Sequence, residues 1–199
     1  MQTSTSELAL NTPFNTFLLS LIPEHLRPFV YIAGGFVADP GKAADIDLWV
    51  TGVDDPIKGV REIRNLNAGG LVLDDRDIQD YDEEGMFKIA GTLFDADHLP
   101  VQVLVTTYGI NDLLGHFDIS THCIARHVAS NTTLVGPKFT PTSALPQVLR
   151  NNTPSSTLLR YLRLVKRYGF RPDHTVVTTL ANLYAQNSLR AEADWPFSR

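Results

Sequence analysis

The first clear pattern along the chain is a run of apolar, β-forming residues at 29–33 (Phe-Val-Tyr-Ile-Ala). Such a run predicts a short buried strand. Two glycines, Gly34 and Gly35, follow it directly. Glycine carries no side chain and adopts backbone conformations that are closed to other residues. The pair therefore predicts a tight turn whose N–H groups a phosphate can approach closely.

Polar and apolar residues alternate in the next segment, Asp45-Ile46-Asp47-Leu48-Trp49. Alternation is typical of a strand with one buried face, because successive side chains point to opposite sides. The pattern predicts that Asp45 and Asp47 project from one face of the strand. Ile46 and Leu48 then point from the other face into the core.

Prolines, glycines and capping residues delimit the remaining predicted elements. Helices are expected at about 12–22, 55–65, 111–114, 154–168 and 173–187, and strands at about 71–73, 86–93 and 101–106. The helix at 154–168 is amphipathic. Its predicted core side comprises Leu158, Leu159, Leu162 and Val165.

The two neighbouring carboxylates are the first candidate chemistry. Like charges repel, and a divalent cation relieves that repulsion. Oxygen ligands at this spacing suit Mg²⁺ (or Mn²⁺) that is also bound by substrate phosphates. A glycine turn followed by Asp45 and Asp47 therefore predicts a phosphoryl-transfer site. The plainer alternatives are a turn without function and a solvated strand edge.

The order of these motifs resembles the signature of the DNA polymerase β-like nucleotidyltransferase superfamily, in which a glycine turn precedes a strand with an Asp-x-Asp metal pair. Within it, the chain is most similar to the head of CCA-adding tRNA nucleotidyltransferases and bacterial poly(A) polymerases, and to small nucleotidyltransferase-like proteins of bacteriophages. Segments 117–125 (Phe-Asp-Ile-Ser-Thr-His-Cys-Ile-Ala) and 158–170 resemble two further motifs of the tRNA enzymes.

The resemblance implies an α/β (α+β) fold, with a mixed nucleotidyltransferase sheet flanked by helices and a small C-terminal helical module. The expected domains are a nucleotidyltransferase head at 1–140 and the helical module at 141–199. The implied activity is Mg²⁺-dependent transfer of a nucleotide from an NTP to an acceptor hydroxyl on RNA, protein or a small molecule, with release of pyrophosphate.

The resemblance also implies roles for residues of this chain. Asp45 and Asp47 are expected to hold the metal and to act in catalysis. Gly34, Gly35 and Lys42 are expected to bind the nucleotide.

The chain departs from the tRNA enzymes at two positions. Ala38 stands where those enzymes carry an arginine after the glycines, so CCA addition itself is not expected. The third carboxylate of the superfamily usually lies on a later strand, and the polar residue of the predicted strand at 101–106 is Gln102. Without a third carboxylate, the alternative is a catalytically inactive nucleotide- or nucleic-acid-binding module on the same fold.

Asp118, within the 117–125 motif, is predicted to take the third acidic role in catalysis. In the tRNA enzymes the corresponding aspartate is associated with the sugar of the nucleotide. The alternative for Asp118 is a helix N-cap, with Ile119 beginning the helix.

Charge is divided unevenly along a chain whose formal net charge is −5. Residues 1–118 carry 19 acidic and 7 basic side chains, whereas residues 119–172 carry eight basic side chains and no acidic one. Such a basic segment suits a triphosphate or a nucleic-acid backbone. Arg160, Arg163 and Lys166 are expected to bind the nucleotide. The alternative is a solvated helix face.

Composition indicates which class of protein the chain belongs to. With 43% hydrophobic and 20% charged residues, the chain has the composition of a globular protein. No apolar run reaches the ~20 residues that span a bilayer, and the polar start does not resemble a secretory signal. We therefore expect a cytoplasmic protein without a membrane partner. A single cysteine, Cys123, excludes an internal disulfide.

Overall fold

A computed structural model describes residues 12–72, 87–94, 99–150 and 154–193. The chain divides into two compact units. The sheet unit comprises the residues up to His116 together with His122–Phe139. The helical unit comprises Phe117–Thr121 together with the residues from Thr140 onward. The short segment 117–121 thus belongs to the helical unit, although the chain on either side of it belongs to the sheet unit.

The sheet unit is built on six strands in the order β3-β4-β2-β1-β5-β6. β2 and β4 are parallel, and the other neighbouring strands are antiparallel. The mixed sheet with flanking helices confirms the predicted fold class. The strands are β1 (Val30–Ala33), β2 (Ile46–Val50), β3 (Phe87–Leu93), β4 (Val101–Thr106), β5 (Ile124–His127) and β6 (Thr133–Val135).

Helices flank the sheet and make up most of the helical unit. The sheet unit contains α1 (Thr12–Ser20), α2 (Gly35–Ala38), α3 (Pro56–Leu66) and α4 (Ile110–His116), and the helical unit contains α5 (Pro154–Arg167) and α6 (His174–Ala193). Short 3-10 helices lie at Glu24–Phe29, Pro40–Lys42 and Ser120–His122. Within the described ranges, no helix is long and apolar enough to cross a membrane.

One face of the sheet carries the main core. Ile32 of β1 pairs with Leu48 of β2, which pairs with Val103 of β4, and all three are fully buried. Ile22, just after α1, and Ile63 of α3 pack in the same cluster. Because side chains alternate along a strand, the residues next to this row project from the opposite face, as predicted for Asp47.

The core of the helical unit corrects the predicted face of α5. Tyr161, Leu164 and Val165 are buried together with Ile119, whereas Leu159 is 55% exposed. Of the predicted core side, only Val165 is among these buried residues, and Tyr161 and Leu164 were not predicted. The phenol of Tyr161 enters the core because the hydroxyl accepts a hydrogen bond from the backbone N–H of Asp173, at 2.9 Å.

Residues around 119–135 also differ from expectation. Ile119 forms an isolated bridge with Val148 instead of beginning a helix. A single 3-10 turn follows, and the chain then enters β5 and β6, which the sequence did not predict. Both strands are short and carry polar residues such as Arg126. The predicted strand at 71–73 is reduced to a bridge between Val72 and Thr92, and Leu73 lies outside the described residues.

Candidate nucleotide-binding site

The predicted glycine turn connects β1 to α2. Gly34 has a φ of 82°, in the left-handed region that favours glycine. Its N–H donates to the carbonyl of Ile124 in β5, at 3.0 Å, and its carbonyl accepts from the N–H of Ala38, at 3.1 Å. These two bonds hold the turn against the sheet at one end and against α2 at the other.

Asp47 lies directly beside this turn. Its backbone pairs with Ala33, the last residue of β1 before Gly34. A Cβ atom built on Gly34 would lie 3.5 Å from Asp47 Oδ2. The half-buried carboxylate therefore occupies the space that a side chain at the turn would otherwise enter. The glycine turn and one carboxylate of the predicted pair are in contact.

Asp45 lies just outside β2. The strand begins at Ile46, whose N–H donates to the carbonyl of Pro100 at 2.8 Å, and Asp45 occupies the bend before it. Its side chain is exposed and makes no hydrogen bond or ion pair within the described part of the chain. The carboxylate of Asp45 is accordingly accessible from solvent.

A row of polar residues crosses the sheet on the face of Asp47. Asp47 pairs with Gln102 of the parallel strand β4, and Gln102 pairs with Thr92 of β3. On the other side of Asp47 the row continues through Ala33 and Ala125. Residues in register share a face of the sheet. The alanines of this row are fully buried, and Gln102 is the polar neighbour of Asp47 in the sheet.

The donor set fits a magnesium ion that arrives with its substrate. Among the residues that the structure describes, no group of three His, Cys, Asp or Glu side chains is arranged to hold a metal. Mg²⁺ in nucleotide-dependent enzymes is commonly bound through one or two carboxylates plus substrate phosphates. Asp45 and Asp47 supply hard oxygen donors of this kind, and the amide oxygen of Gln102 is a neutral one.

His122 is a residue at the turn to which the sequence analysis assigned no role. A Cβ atom on Gly35 would lie 3.6 Å from His122 Nε2, so the imidazole borders the turn at its second glycine. The signal in the sequence was its place within the 117–125 motif. Sequence separation alone does not show that this motif returns to Gly35, because the contact depends on β5 pairing with β1.

Lys42 lies at the end of the 3-10 helix that follows α2. Its ammonium is 3.5 Å from Asp39 Oδ2, and the lysine side chain is half exposed. An exposed ion pair of this kind contributes at most about 1 kcal/mol. The pair therefore does not prevent Lys42 from contacting a ligand phosphate.

Asp118 has specific partners within the helical unit. Its Oδ2 accepts a hydrogen bond from Arg160 Nη1, at 2.6 Å, and another from Thr157 Oγ1, at 2.9 Å. The side chain of Asp118 is 13% exposed and that of Arg160 is 38% exposed. Oδ1 is buried without a hydrogen-bond partner in the described residues. The alternative of a helix N-cap is wrong, because the carboxylate binds side chains of α5.

The predicted basic residues of α5 fall into two kinds. Arg160 is bound to Asp118, whereas Arg163 and Lys166 are exposed and form no ion pair within the described residues. Arg167 shares their exposure. Two of the three nucleotide-binding cations predicted in α5 are therefore exposed to an anionic ligand, and the third is already oriented by a carboxylate.

Comparison with known proteins identifies the fold. The sequence matches no protein-family model and no curated protein. Solved structures of CCA-adding enzymes, however, align with nearly the whole chain. An apo form aligns with a TM-score of 0.58 at 21% identity, covering 94% of this chain and 46% of the enzyme. A complex with ATP aligns with a TM-score of 0.59 at 20% identity, covering 94% and 47%.

The CCA-adding enzyme of Thermotoga maritima, complexed with tRNA, aligns with a TM-score of 0.55 at 20% identity, covering 88% of this chain and 44% of the enzyme. The chain thus spans less than half the length of these enzymes. Identities this low establish similarity of fold. The chain therefore has the fold that occurs in CCA-adding enzymes, which confirms the expected resemblance at the level of fold.

Proposed function

We propose that this chain is a Mg²⁺- or Mn²⁺-dependent nucleotidyltransferase that moves a nucleotide from an NTP to an acceptor hydroxyl and releases pyrophosphate. The observation that carries the proposal is the contact between the glycine turn and Asp47, whose Oδ2 lies 3.5 Å from the Cβ position of Gly34. The known fold supports it, since similar structures include complexes of CCA-adding enzymes with ATP and with CTP.

In this proposal, the sheet unit receives the triphosphate at the turn. Gly34 and Gly35 carry no side chains, so phosphate oxygens can approach the backbone beside Asp47 and His122. Lys42 adds a cation a few residues further along the chain. Pairing with β1 and β4 on both sides fixes the backbone at Asp47, and such rigid placement is what transfer chemistry requires of its ligands.

Asp45 and Asp47 are the proposed metal ligands. When bound, the cation supplies neutralisation of charge on the triphosphate oxygens. The two aspartates differ in the structure, because Asp47 is held in the ladder and Asp45 stands in an exposed bend. Asp47 is therefore expected to fix the position of the ligand, and Asp45 to adjust to it.

Asp118 is retained as the proposed third acidic residue, in a role set by its partners. With Oδ2 engaged by Thr157 and Arg160, Asp118 is proposed to act by holding the guanidinium of Arg160 in place. In the helical unit, Arg160 is proposed to contribute through its fixed guanidinium, and Arg163 and Lys166 through exposed charges that attract phosphates.

RNA is the proposed acceptor class, supported by the basic residues of α5 and by the similarity to a CCA-adding enzyme complexed with tRNA. The test is incubation of the purified chain with each α-labelled NTP and Mg²⁺, with and without RNA of a defined 3′ end. We expect label on the RNA and release of pyrophosphate. Equal labelling by wild type and by Asp47→Asn would refute the assignment.

A second candidate function is an inactive nucleotide- or nucleic-acid-binding module. Gln102 favours it, because an amide stands next to Asp47 at the position where a third carboxylate would complete the site. The same incubation distinguishes the two functions. Saturable retention of NTP without transfer to any acceptor supports the binding module, whereas label transfer excludes it.

A further inference from the structure

Gln102 of β4 lies next to Asp47, one of the two proposed metal ligands. The parallel register of β2 and β4 puts it beside Asp47, and neighbouring strands lie about 4.8 Å apart. Thr92 of β3 pairs with Gln102 on its other side, so the residue is held in the interior of the sheet. The half-buried side chain projects from the same face as Asp47.

The side chain at position 102 decides whether a further negative charge lies beside Asp47 in the sheet. Asp45 and Asp47 contribute two negative charges, and their neighbours Gln102 and Thr92 contribute none. The affinity of a protein site for a hard divalent cation rises with the number of charged ligands. A half-exposed pair of carboxylates binds such a cation weakly, and the oxygens of a triphosphate supply the ligands and charge that are missing.

The amide also differs from a carboxylate toward the nucleotide. Its nitrogen is a donor, so it can donate a hydrogen bond to a phosphate oxygen, whereas a carboxylate in the same place would repel that oxygen. The charge at position 102 therefore has opposite effects on the affinity for the cation and on the affinity for the nucleotide. A negative charge there strengthens binding of the cation alone and weakens binding of the nucleotide.

We propose that Gln102 is a positioning residue that makes cation binding depend on the nucleotide. By standing beside Asp47 as a neutral amide, it keeps the site at two carboxylates, so that the divalent ion and the triphosphate bind together and the ion does not occupy the site alone. This inference rests on the proposed function, because it assumes that Asp45 and Asp47 bind the cation.

The test is a titration with Mn²⁺ in which free ion is measured by electron paramagnetic resonance, with and without a non-hydrolysable NTP analogue. The Mn²⁺ that the analogue binds without protein is measured separately and subtracted. For the wild type, we expect the analogue to tighten Mn²⁺ binding at least about tenfold. Gln102→Glu should bind Mn²⁺ alone at least about tenfold more tightly and should bind the analogue more weakly. Wild-type Mn²⁺ affinity in this variant would overturn the inference.

Two controls separate charge from structure. Gln147→Glu adds the same charge at an exposed position of the helical unit and should leave Mn²⁺ affinity unchanged. Gln102→Ala removes the amide without adding charge, so it should weaken analogue binding a few-fold while Mn²⁺ alone still binds weakly. Thermal unfolding checks each variant. If Gln102→Glu does not fold, Gln102→Asp carries the same expectation and the same refuting result.

Failure of the inference can be told from failure of the proposed function. If the wild type binds no Mn²⁺ even with the analogue, both are wrong. If the wild type binds Mn²⁺ with the analogue and Asp47→Asn does not, the metal site stands. In that case, a Gln102→Glu variant that still requires the analogue for Mn²⁺ binding refutes the inference about Gln102 alone.

Discussion

Asp47 in the sheet unit and Asp118 in the helical unit are both predicted catalytic aspartates, yet their surroundings differ. Asp118 is bound by Arg160 and Thr157 at 2.6 and 2.9 Å and is 13% exposed. Asp47 faces a glycine that has no side chain, and its neighbours along the sheet are Ala33 and Gln102. The chain supplies the counter-charge of Asp118 through Arg160, whereas the two residues that pair with Asp47 in the sheet are uncharged.

This difference has an energetic consequence. A carboxylate that pairs with a guanidinium in a partly buried place contributes to folding, and removing either partner leaves the other without compensation. A carboxylate that is placed for a ligand contributes to binding and chemistry, and its removal often leaves stability unchanged or improved. We therefore expect substitutions at Asp47 and Asp118 to separate function from stability.

The largest effect is expected for Asp47→Asn. The substitution keeps the shape and removes the charge that the divalent ion requires. Nucleotide transfer should fall by about 10³-fold, which corresponds to about 4 kcal/mol of transition-state stabilisation. The measurement is the rate of label transfer at saturating Mg²⁺. The unfolding temperature should stay within a few degrees of the wild type, and a collapse of stability would contradict the contrast with Asp118.

Gly34→Ala should have the next largest effect. Alanine strains a backbone with φ of 82° and adds a methyl group at van der Waals distance from Asp47 Oδ2. We expect nucleotide affinity to fall about 10- to 100-fold, because the turn can no longer accept a phosphate closely. The measurement is equilibrium binding of an NTP analogue with Mg²⁺.

Gly69→Ala is the matched control for that variant. Gly69 has a φ of 86°, and no atom lies within 4 Å of the position that its Cβ would take. Both substitutions place a side chain on a backbone with positive φ, which typically costs about 1–2 kcal/mol of stability. Equal loss of nucleotide affinity in the two variants would show that strain, and not the contact with Asp47, is responsible.

Substitution of Asp118 by alanine should act mainly on stability. It leaves Arg160 without its partner and Thr157 without its acceptor, at an expected cost of about 1–3 kcal/mol, since Arg160 is partly exposed. Urea unfolding of Asp118→Ala, Arg160→Ala and the double variant measures the coupling. Additive effects of the two single substitutions would show that the ion pair contributes nothing to the fold.

The sequence predicted the features that depend on local pattern. Asp55 and Pro56 mark the start of α3, where the Asp55 side chain accepts from the N–H of Lys58 at 3.0 Å. The glycine turn and the alternation through β2 likewise follow from a few adjacent residues. The mixed sheet required the resemblance, because the parallel pairing of β2 with β4 joins residues about fifty positions apart.

The features that the sequence did not predict depend on distant contacts. The predicted core side of α5 did not include Tyr161, which is buried with its hydroxyl accepting a hydrogen bond from the backbone N–H of Asp173. Asp118 was a catalytic candidate by motif alone, and its pairing with Arg160 appears only when segment 117–121 packs with the helical unit. His122 similarly reaches Gly35 through the pairing of β5 with β1.

The smallest expected effect concerns Arg163, which contrasts with Arg160 on the same helix. Arg163 is exposed and has no acidic partner in the described residues, so Arg163→Gln should change the free energy of unfolding by less than about 0.5 kcal/mol. Binding of RNA should weaken a few-fold, and the slope of log affinity against log salt should decrease by about 1, because one phosphate contact is lost.

Arg61→Gln is the matched control for Arg163→Gln, because it also removes one exposed arginine charge. Arg61 lies on α3 of the sheet unit, in the acidic part of the chain. If both variants weaken RNA binding equally, the attraction depends on net charge alone and α5 is not a specific surface. If only Arg163→Gln changes the salt slope, the basic residues of α5 that lack an acidic partner contact the backbone directly. The difference between Arg160, which is paired with Asp118, and Arg163 and Arg167, which have no ion pair in the described residues, then has a functional meaning.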